Sequence, residues 1–133
     1  MTPLVKLAND FLSLIRSGDR ILITDFHIST IIGVHDWEKK VPQDIYLTIS
    51  LGVNTNKAIE SDNLNDTVDY DALTKRVHSF AKTNHFELIE TLADRCASII
   101  LSEFNVSDVY IQLDKPQALD LSRSVAIQIF RSK

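Results

Sequence analysis

The sequence is short of the residues that build several common kinds of site. It has one cysteine and three glycines in 133 residues. A single cysteine, Cys96, can form no internal disulfide and cannot supply the cysteine set of a structural zinc site. The glycines, Gly18, Gly33 and Gly52, lie too far apart for a phosphate-binding loop or a dinucleotide fingerprint. Disulfide scaffolds and the familiar nucleotide-binding loops are therefore excluded.

Positive charge and paired histidines are also scarce. The net charge is -4 and the sequence pI about 5.5, so we expect no basic face for nucleic acid or an anionic membrane. None of the four histidines is paired as H-x-H or at i, i+4 spacing, so we expect no metal site. Polar residues interrupt the first apolar stretch, which argues against a targeting segment: Lys6, Asn9, Asp10 and Arg16. A cytoplasmic location is predicted.

The chain divides into a short extension and one main domain. Residues 1–18 are predicted to form a helical extension, because Leu4, Leu7, Phe11 and Leu14 recur at helical spacing. Residues 19–133, in a chain that is 44% hydrophobic, suit a single domain with one core.

Hydrophobic periodicity in the main domain predicts the order ββααββ. Strands show apolar residues at every second position, and helices show them at every third or fourth. Residues 54–68 have no apolar period and are expected to be mostly loop. The predicted elements are strands at 20–33, 44–53, 109–113 and 125–129, a helix capped by Asp69, and a helix at 88–104 whose apolar stripe includes Leu88, Cys96 and Ile99.

Four strands and two adjacent helices favour an α+β fold, a four-stranded antiparallel sheet with both helices on one face. The other face would be half polar, carrying Tyr46, Thr48, Ser50, Tyr110, Gln112 and Gln128. The two edge strands of such a sheet would be unpaired in a monomer, and joining copies edge to edge would remove that liability. A closed ring of copies is therefore our hypothesis for the assembly.

Four polar residues lie at junctions between elements, where sites on small domains tend to form. Glu38 follows the first strand, Tyr70 opens the first helix, Glu90 lies in the first turn of the second helix, and Lys115 follows the third strand. Each has an ordinary explanation on its own: solvated charges for Glu38 and Lys115, packing for Tyr70, and a favourable helix N-terminus for Glu90. For any one of them the ordinary explanation is favoured, because functional charges are a minority of all charges.

The four residues belong to four ordered motifs. These are G-V-x-D-W-E-x4-Q, S-D-N-L-x-D-T-V-D-Y, F-x-L-I-E-x-L-A and K-P, with the predicted ββααββ elements between them. The set resembles dihydroneopterin aldolase, with dihydroneopterin triphosphate epimerase as a near relative. The resemblance covers residues 19–131, so the main domain is interpreted as dihydroneopterin aldolase-like and the extension falls outside the resemblance.

The resemblance implies the tunnelling fold, in which subunits join their sheets into a barrel, commonly as tetrameric rings stacked into octamers. It implies active sites between neighbouring subunits, with Glu90 and Lys115 from one chain and residues 67–70 from the next. The implied catalytic residues are Lys115, Tyr70 and Glu38, and the implied substrate-binding residues are Glu90, Ile89, Val68, Tyr70 and Glu38. Two zinc families share this fold, and their ligands have no counterpart here.

The resemblance also implies the reaction, retro-aldol cleavage of 7,8-dihydroneopterin in folate biosynthesis. The conjugated imine of the dihydropterin can accept the electrons of the broken bond, so no cofactor, metal or lysine Schiff base is expected. Two alternatives stay open. One is epimerisation at the side-chain 2' carbon of dihydroneopterin or its triphosphate, for which Arg123 is either a phosphate contact or a solvated strand start. The other is a non-catalytic ring protein that binds a planar heterocycle.

Overall fold

The computed structural model describes residues 18–133. The predicted N-terminal helix therefore lies outside the described residues, apart from Gly18. The described chain contains four strands, three α-helices and one 3-10 turn: β1 Asp19–Thr30, β2 Gln43–Val53, α1 Asn56–Ser61, the turn Leu64–Asp66, α2 Tyr70–Thr83, α3 Ile89–Glu103, β3 Asp108–Lys115 and β4 Val125–Ser132. Within this range no helix has both the length and the apolar character needed to cross a bilayer.

The four strands form one antiparallel sheet in the order β1-β2-β3-β4. Alternation decides which face is buried: Ile45, Leu47, Ile49 and Leu51 of β2 have no solvent exposure, and Tyr46 and the other intervening polar residues are partly exposed. Apolar side chains of both long helices join the same core, among them Leu73 and Val77 of α2 and Leu92 and Ile100 of α3. The predicted α+β class, with an antiparallel sheet and helices packed on one face, is confirmed.

The two long helices begin and end largely where the sequence predicts. The Asp69 side chain accepts a hydrogen bond from the Ala72 N–H (3.0 Å) and caps α2, which ends at Thr83. Cys96 of α3 is fully buried in the hydrophobic core, as predicted. Burial in apolar surroundings raises the pKa of its thiol to about 12, so this cysteine is a packing residue and not a nucleophile.

Three details differ from the sequence prediction. Residues 54–68 contain α1 and a 3-10 turn; neither has a buried residue, so neither left an apolar period to recognise. Leu88 precedes α3 in an extended conformation and is 47% exposed, so it does not belong to the helix's buried stripe. Strand β1 stops at Thr30 and has a bulge between Ile23 and Phe26, which interrupts its alternation.

The sheet has two ends that matter for the site. The Lys115 end comprises Thr30, Gln43, Lys115 and Val125; the Asp108 end comprises Asp19, Val53, Asp108 and Ser132. The C-terminal part of α2 lies at the Lys115 end, because the Thr30 hydroxyl donates to the Ala81 carbonyl (2.5 Å). The start of α3 lies there too, because Ile32 bridges Phe86.

Candidate active site

A buried ion pair lies at the Lys115 end of the sheet. The Nζ of Lys115 and the Oε2 of Glu38 are 2.5 Å apart, although the residues are 77 positions apart in the chain. Glu38 is 3% exposed and Lys115 8% exposed. The ordinary explanation of these two residues as solvated charges is therefore wrong. A buried charge pair is expensive to desolvate, so its presence at an element junction is a functional signal.

The Glu38 carboxylate has two further hydrogen bonds. The side-chain amide of Gln43 donates to Oε2 (3.0 Å), and the backbone N–H of His35 donates to Oε1 (3.2 Å). The same Gln43 amide also donates to the Ile32 carbonyl (2.8 Å), which fixes the amide in place. Gln43 ends the G-V-x-D-W-E-x4-Q motif, yet no role was predicted for it. Its E-x4-Q spacing from Glu38 was the available signal.

These contacts set the ionisation of Glu38. Burial alone would raise the pKa of its carboxyl, but the hydrogen bonds from Lys115, Gln43 and the His35 N–H, together with the positive charge of Lys115, outweigh it. The net result lowers the pKa from 4.5 to about 2. Glu38 is therefore a carboxylate at neutral pH, and Lys115 has a fixed counter-ion.

The lowered pKa of Glu38 predicts an acid-sensitive contribution to stability. Because the folded pKa lies below the unfolded one, the stabilisation is complete above about pH 4.5 and disappears as the pH falls through about 2. A shift of this size corresponds to about 3 kcal/mol at neutral pH. We expect the difference in unfolding free energy between wild type and Glu38→Gln, measured by urea titration, to narrow steadily as the pH falls from about 4.5 to about 2. A difference that stays constant with pH would contradict the ion pair.

Glu90 and Ile89 lie at the same end of the sheet. They form the first turn of α3, where no side chain caps the free backbone N–H groups. Glu90 is exposed and Ile89 is partly buried. The Gly33 N–H donates to the Phe86 carbonyl (3.2 Å), and this bond ties the Glu38 loop to the segment that precedes α3. Glu38, Glu90 and Lys115 thus lie at the same end of the sheet within one chain.

Tyr70 and Val68 lie at the opposite end. Val68 is 4% exposed and lines a cavity of about 240 Å³ with Val53 and Val106, and Tyr70 is 58% exposed at the start of α2. The 14 residues of α2 separate Tyr70 from the Lys115 end by about 20 Å. A single chain therefore does not unite the predicted residues: Glu38, Glu90 and Lys115 form one group, and Val68 and Tyr70 form another.

The group at the Lys115 end has the chemistry of a site for a polar planar ligand. Glu90 offers an exposed carboxylate that can accept two parallel hydrogen bonds. The Lys115 ammonium can donate a proton to a bound molecule, and the amine that results can take one back. Between residues 18 and 133, no three His, Cys, Asp or Glu side chains are grouped so that they could hold a metal ion.

Comparison with known proteins identifies related sequences. The family model described as dihydroneopterin aldolase (FolB) matches residues 21–130. The chain is 32% identical to dihydroneopterin aldolase of Escherichia coli K12 over 113 residues, which are 85% of this chain and 93% of that one. It is 32% identical to a folic acid synthesis protein of Dictyostelium discoideum, but spans only 17% of that protein's length. A dihydroneopterin triphosphate 2'-epimerase of Pseudomonas aeruginosa is 24% identical, with 83% of this chain and 89% of the epimerase covered.

Solved structures agree with these matches. The E. coli dihydroneopterin aldolase in complex with neopterin superimposes with a TM-score of 0.83 at 32% identity, covering 86% of this chain and 99% of that one. A Burkholderia dihydroneopterin aldolase bound to guanine has a TM-score of 0.73 at 26% identity, covering 86% of this chain and 91% of its own.

Proposed function

The chain belongs to the dihydroneopterin aldolase family, and on that premise we propose that it cleaves 7,8-dihydroneopterin by a retro-aldol reaction in folate biosynthesis. The products are 6-hydroxymethyl-7,8-dihydropterin and glycolaldehyde. The single observation that carries the proposal is the buried Glu38–Lys115 ion pair at the end of the sheet where Glu90 opens α3. The E. coli relative bound to neopterin supports a pterin ligand.

We further propose that residues 19–133 are the catalytic domain of a cytoplasmic, ring-shaped homo-oligomer, a tetramer that stacks into an octamer. The separation of Tyr70 and Val68 from Lys115 within one chain supports this, because a complete site would need the second group from a neighbouring copy. The edge strands β1 and β4 have no strand partner on their outer sides within residues 18–133, which favours association.

In this proposal Glu90 anchors the pterin ring. A pterin presents an amide N–H beside an exocyclic amino group, and one carboxylate can accept both hydrogen bonds. Ile89 and the neighbouring copy's Val68 and Tyr70 would complete the binding surface around the ring. Glu38 holds Lys115 beside the substrate side chain, within reach of its hydroxyl groups.

The bond changes follow from the substrate. The 2'-hydroxyl loses its proton and becomes the carbonyl oxygen of glycolaldehyde as the C1'–C2' bond breaks. The bonding electrons move into the ring imine through C6, and the resulting enamine takes up a proton at C1' to give 6-hydroxymethyl-7,8-dihydropterin. Lys115 handles these protons, with Glu38 and Tyr70 orienting the reacting groups. Since the imine is the electron sink, Lys115 acts without a covalent adduct.

The test is to incubate the purified chain separately with 7,8-dihydroneopterin and with its triphosphate. We expect stoichiometric glycolaldehyde and 6-hydroxymethyl-7,8-dihydropterin from the first. Inversion at the 2' carbon without net cleavage would instead indicate an epimerase. The similarity to the Pseudomonas epimerase makes this activity the second candidate. Epimerisation needs the same bond cleavage, followed by re-addition of the aldehyde to the opposite face. Both substrates left unchanged would contradict catalysis and favour a binding protein.

A shared site predicts complementation between two inactive variants. Tyr70→Ala and Lys115→Ala would each disable every site of a homogeneous ring. When the two are unfolded together and refolded, about a quarter of the sites in mixed rings should combine an intact Lys115 with an intact Tyr70 from the next copy. We expect glycolaldehyde formation to return to that fraction of the wild-type rate.

The matched control is the double variant, Tyr70→Ala with Lys115→Ala in one chain, refolded with an excess of either single variant. It supplies neither residue, so the activity should stay at the level of the single variants. A site formed within one chain predicts no recovery in either mixture, and that result would contradict sharing.

A further inference from the structure

Gly33 occupies an unusual place beside the ion pair. It is buried, and its φ of +143° is a conformation that residues with side chains rarely adopt. A Cβ placed on Gly33 would collide with the carboxyl carbon and both carboxyl oxygens of Glu38. All three distances would be well under 3.0 Å, closer than Cβ atoms approach other heavy atoms in proteins. The Glu38 carboxylate therefore occupies the space that a side chain at position 33 would need.

The backbone around Gly33 connects both parts of the candidate site. The Gly33 N–H donates to the Phe86 carbonyl, in the segment that leads to Glu90. The carbonyl of the preceding residue, Ile32, accepts from the Gln43 amide that also holds Glu38. The glycine thus cannot move away from the carboxylate without breaking contacts to both segments.

We propose that Gly33 is a positioning residue for the reaction: its missing side chain provides the space in which Glu38 reaches Lys115. The catalytic part of this inference rests on the proposed function. The geometric part, that position 33 controls the placement of the Glu38 carboxylate, does not.

A side chain at position 33 has a defined consequence. The Glu38 carboxylate must rotate away, because the backbone on the other side of the clash is fixed by the Phe86 and Gln43 hydrogen bonds. Glu38 then loses contacts to Lys115, Gln43 or the His35 N–H, the three groups that touch it. Lys115 keeps its position at the end of β3 but loses its counter-ion.

The experiment is a double-mutant cycle of Gly33→Ala, Glu38→Ala and the double variant, with kcat and KM measured for 7,8-dihydroneopterin. We expect Gly33→Ala to lower kcat by about 100-fold, the effect of misplacing a catalytic group by about 1 Å. In the Glu38→Ala background no carboxylate is present to collide, so Gly33→Ala should change kcat by less than about twofold. Equal losses in both backgrounds would show that backbone strain is responsible, and would overturn the proposal.

A matched glycine control is available at position 18. Among residues 18–133, a Cβ on Gly18 meets only the Val53 carbonyl oxygen, at an ordinary contact distance of 3.9 Å. Gly18→Ala should therefore leave kcat unchanged in both backgrounds. A comparable loss in this variant would mean that the assay reports a general effect of glycine replacement, which also counts against the proposal.

A second measurement separates this inference from the proposed function. In a ¹³C NMR titration, the Glu38 carboxyl of wild type should titrate with a pKa of about 2, and that of Gly33→Ala should move towards 4.5. This readout does not need activity, so an inactive wild type would contradict the function alone, whereas an unshifted Glu38 would overturn the role of Gly33. If Gly33→Ala does not fold, a folded double variant with Glu38→Ala supports the proposal and an unfolded one overturns it.

Discussion

Replacing Lys115 with alanine is expected to lower kcat for dihydroneopterin cleavage by about 10²–10⁴-fold, the usual contribution of a positioned proton-transfer group. Pterin affinity should change little, because the proposed anchor, Glu90, lies on another element. Single-turnover rates and neopterin titrations of the same variant would separate the two effects. A wild-type kcat in Lys115→Ala would contradict the assignment.

The same substitution should also destabilise the fold. It leaves the Glu38 carboxylate buried without its counter-ion, and breaking a buried pair by removing one partner costs about 3–5 kcal/mol. Lys115→Met together with Glu38→Gln is the matched control, because it keeps the volume and removes both charges. We expect that double variant to be more stable than Lys115→Ala in urea titrations, yet equally inactive.

A covalent role for Lys115 can be tested directly. Treatment of enzyme and substrate with borohydride should trap no lysine adduct, because the dihydropterin imine already serves as the electron sink. A lysine-linked product found by mass spectrometry would contradict the proton-transfer role and would replace it with a Schiff-base mechanism.

The fold was predictable because its signals are local and periodic. The alternation in β2 and the Asp69 cap of α2 are each read from a few neighbouring residues. Both predict the type of element that the structure shows. Two of the wrong predictions concern segments without a buried face, α1 and Leu88, where periodicity carries no information. The third concerns β1, where a bulge interrupts the alternation and the strand ends at Thr30. Packing decides those positions, and packing is not visible in a single sequence.

The candidate site was only partly predictable for a different reason. The motifs identified Glu38 and Lys115, but nothing in the sequence indicated that the two side chains are buried against each other. Gln43 and Gly33 were in the same motif, and their contacts with Glu38 depend on the path of the β1–β2 loop in three dimensions. Residues that act by leaving space, as Gly33 is proposed to do, have no chemical signature.

Changing Glu90 to glutamine is expected to weaken pterin binding by about 10- to 100-fold, the loss of one charge-assisted hydrogen bond. Glutamine can accept one hydrogen bond through its carbonyl oxygen, but its amide group then presents hydrogen atoms to the second pterin donor. The favourable interaction between the α3 N-terminus and a negative charge is lost as well. Neopterin titration measures the affinity, and kcat at saturating substrate should fall much less.

Glu87→Gln provides the matched control for this prediction. Glu87 lies three positions before Glu90 and is exposed. Its one ion pair in the described part of the chain is a surface contact with Lys39 (3.1 Å), which contributes little to stability. The same loss of charge at position 87 should leave neopterin affinity unchanged, so a difference between the two variants assigns the effect to the location of the carboxylate and not to net charge. Normal affinity in Glu90→Gln would mean that the pterin ring is held by other groups, and the backbone N–H groups at the start of α3 would then be the next candidates.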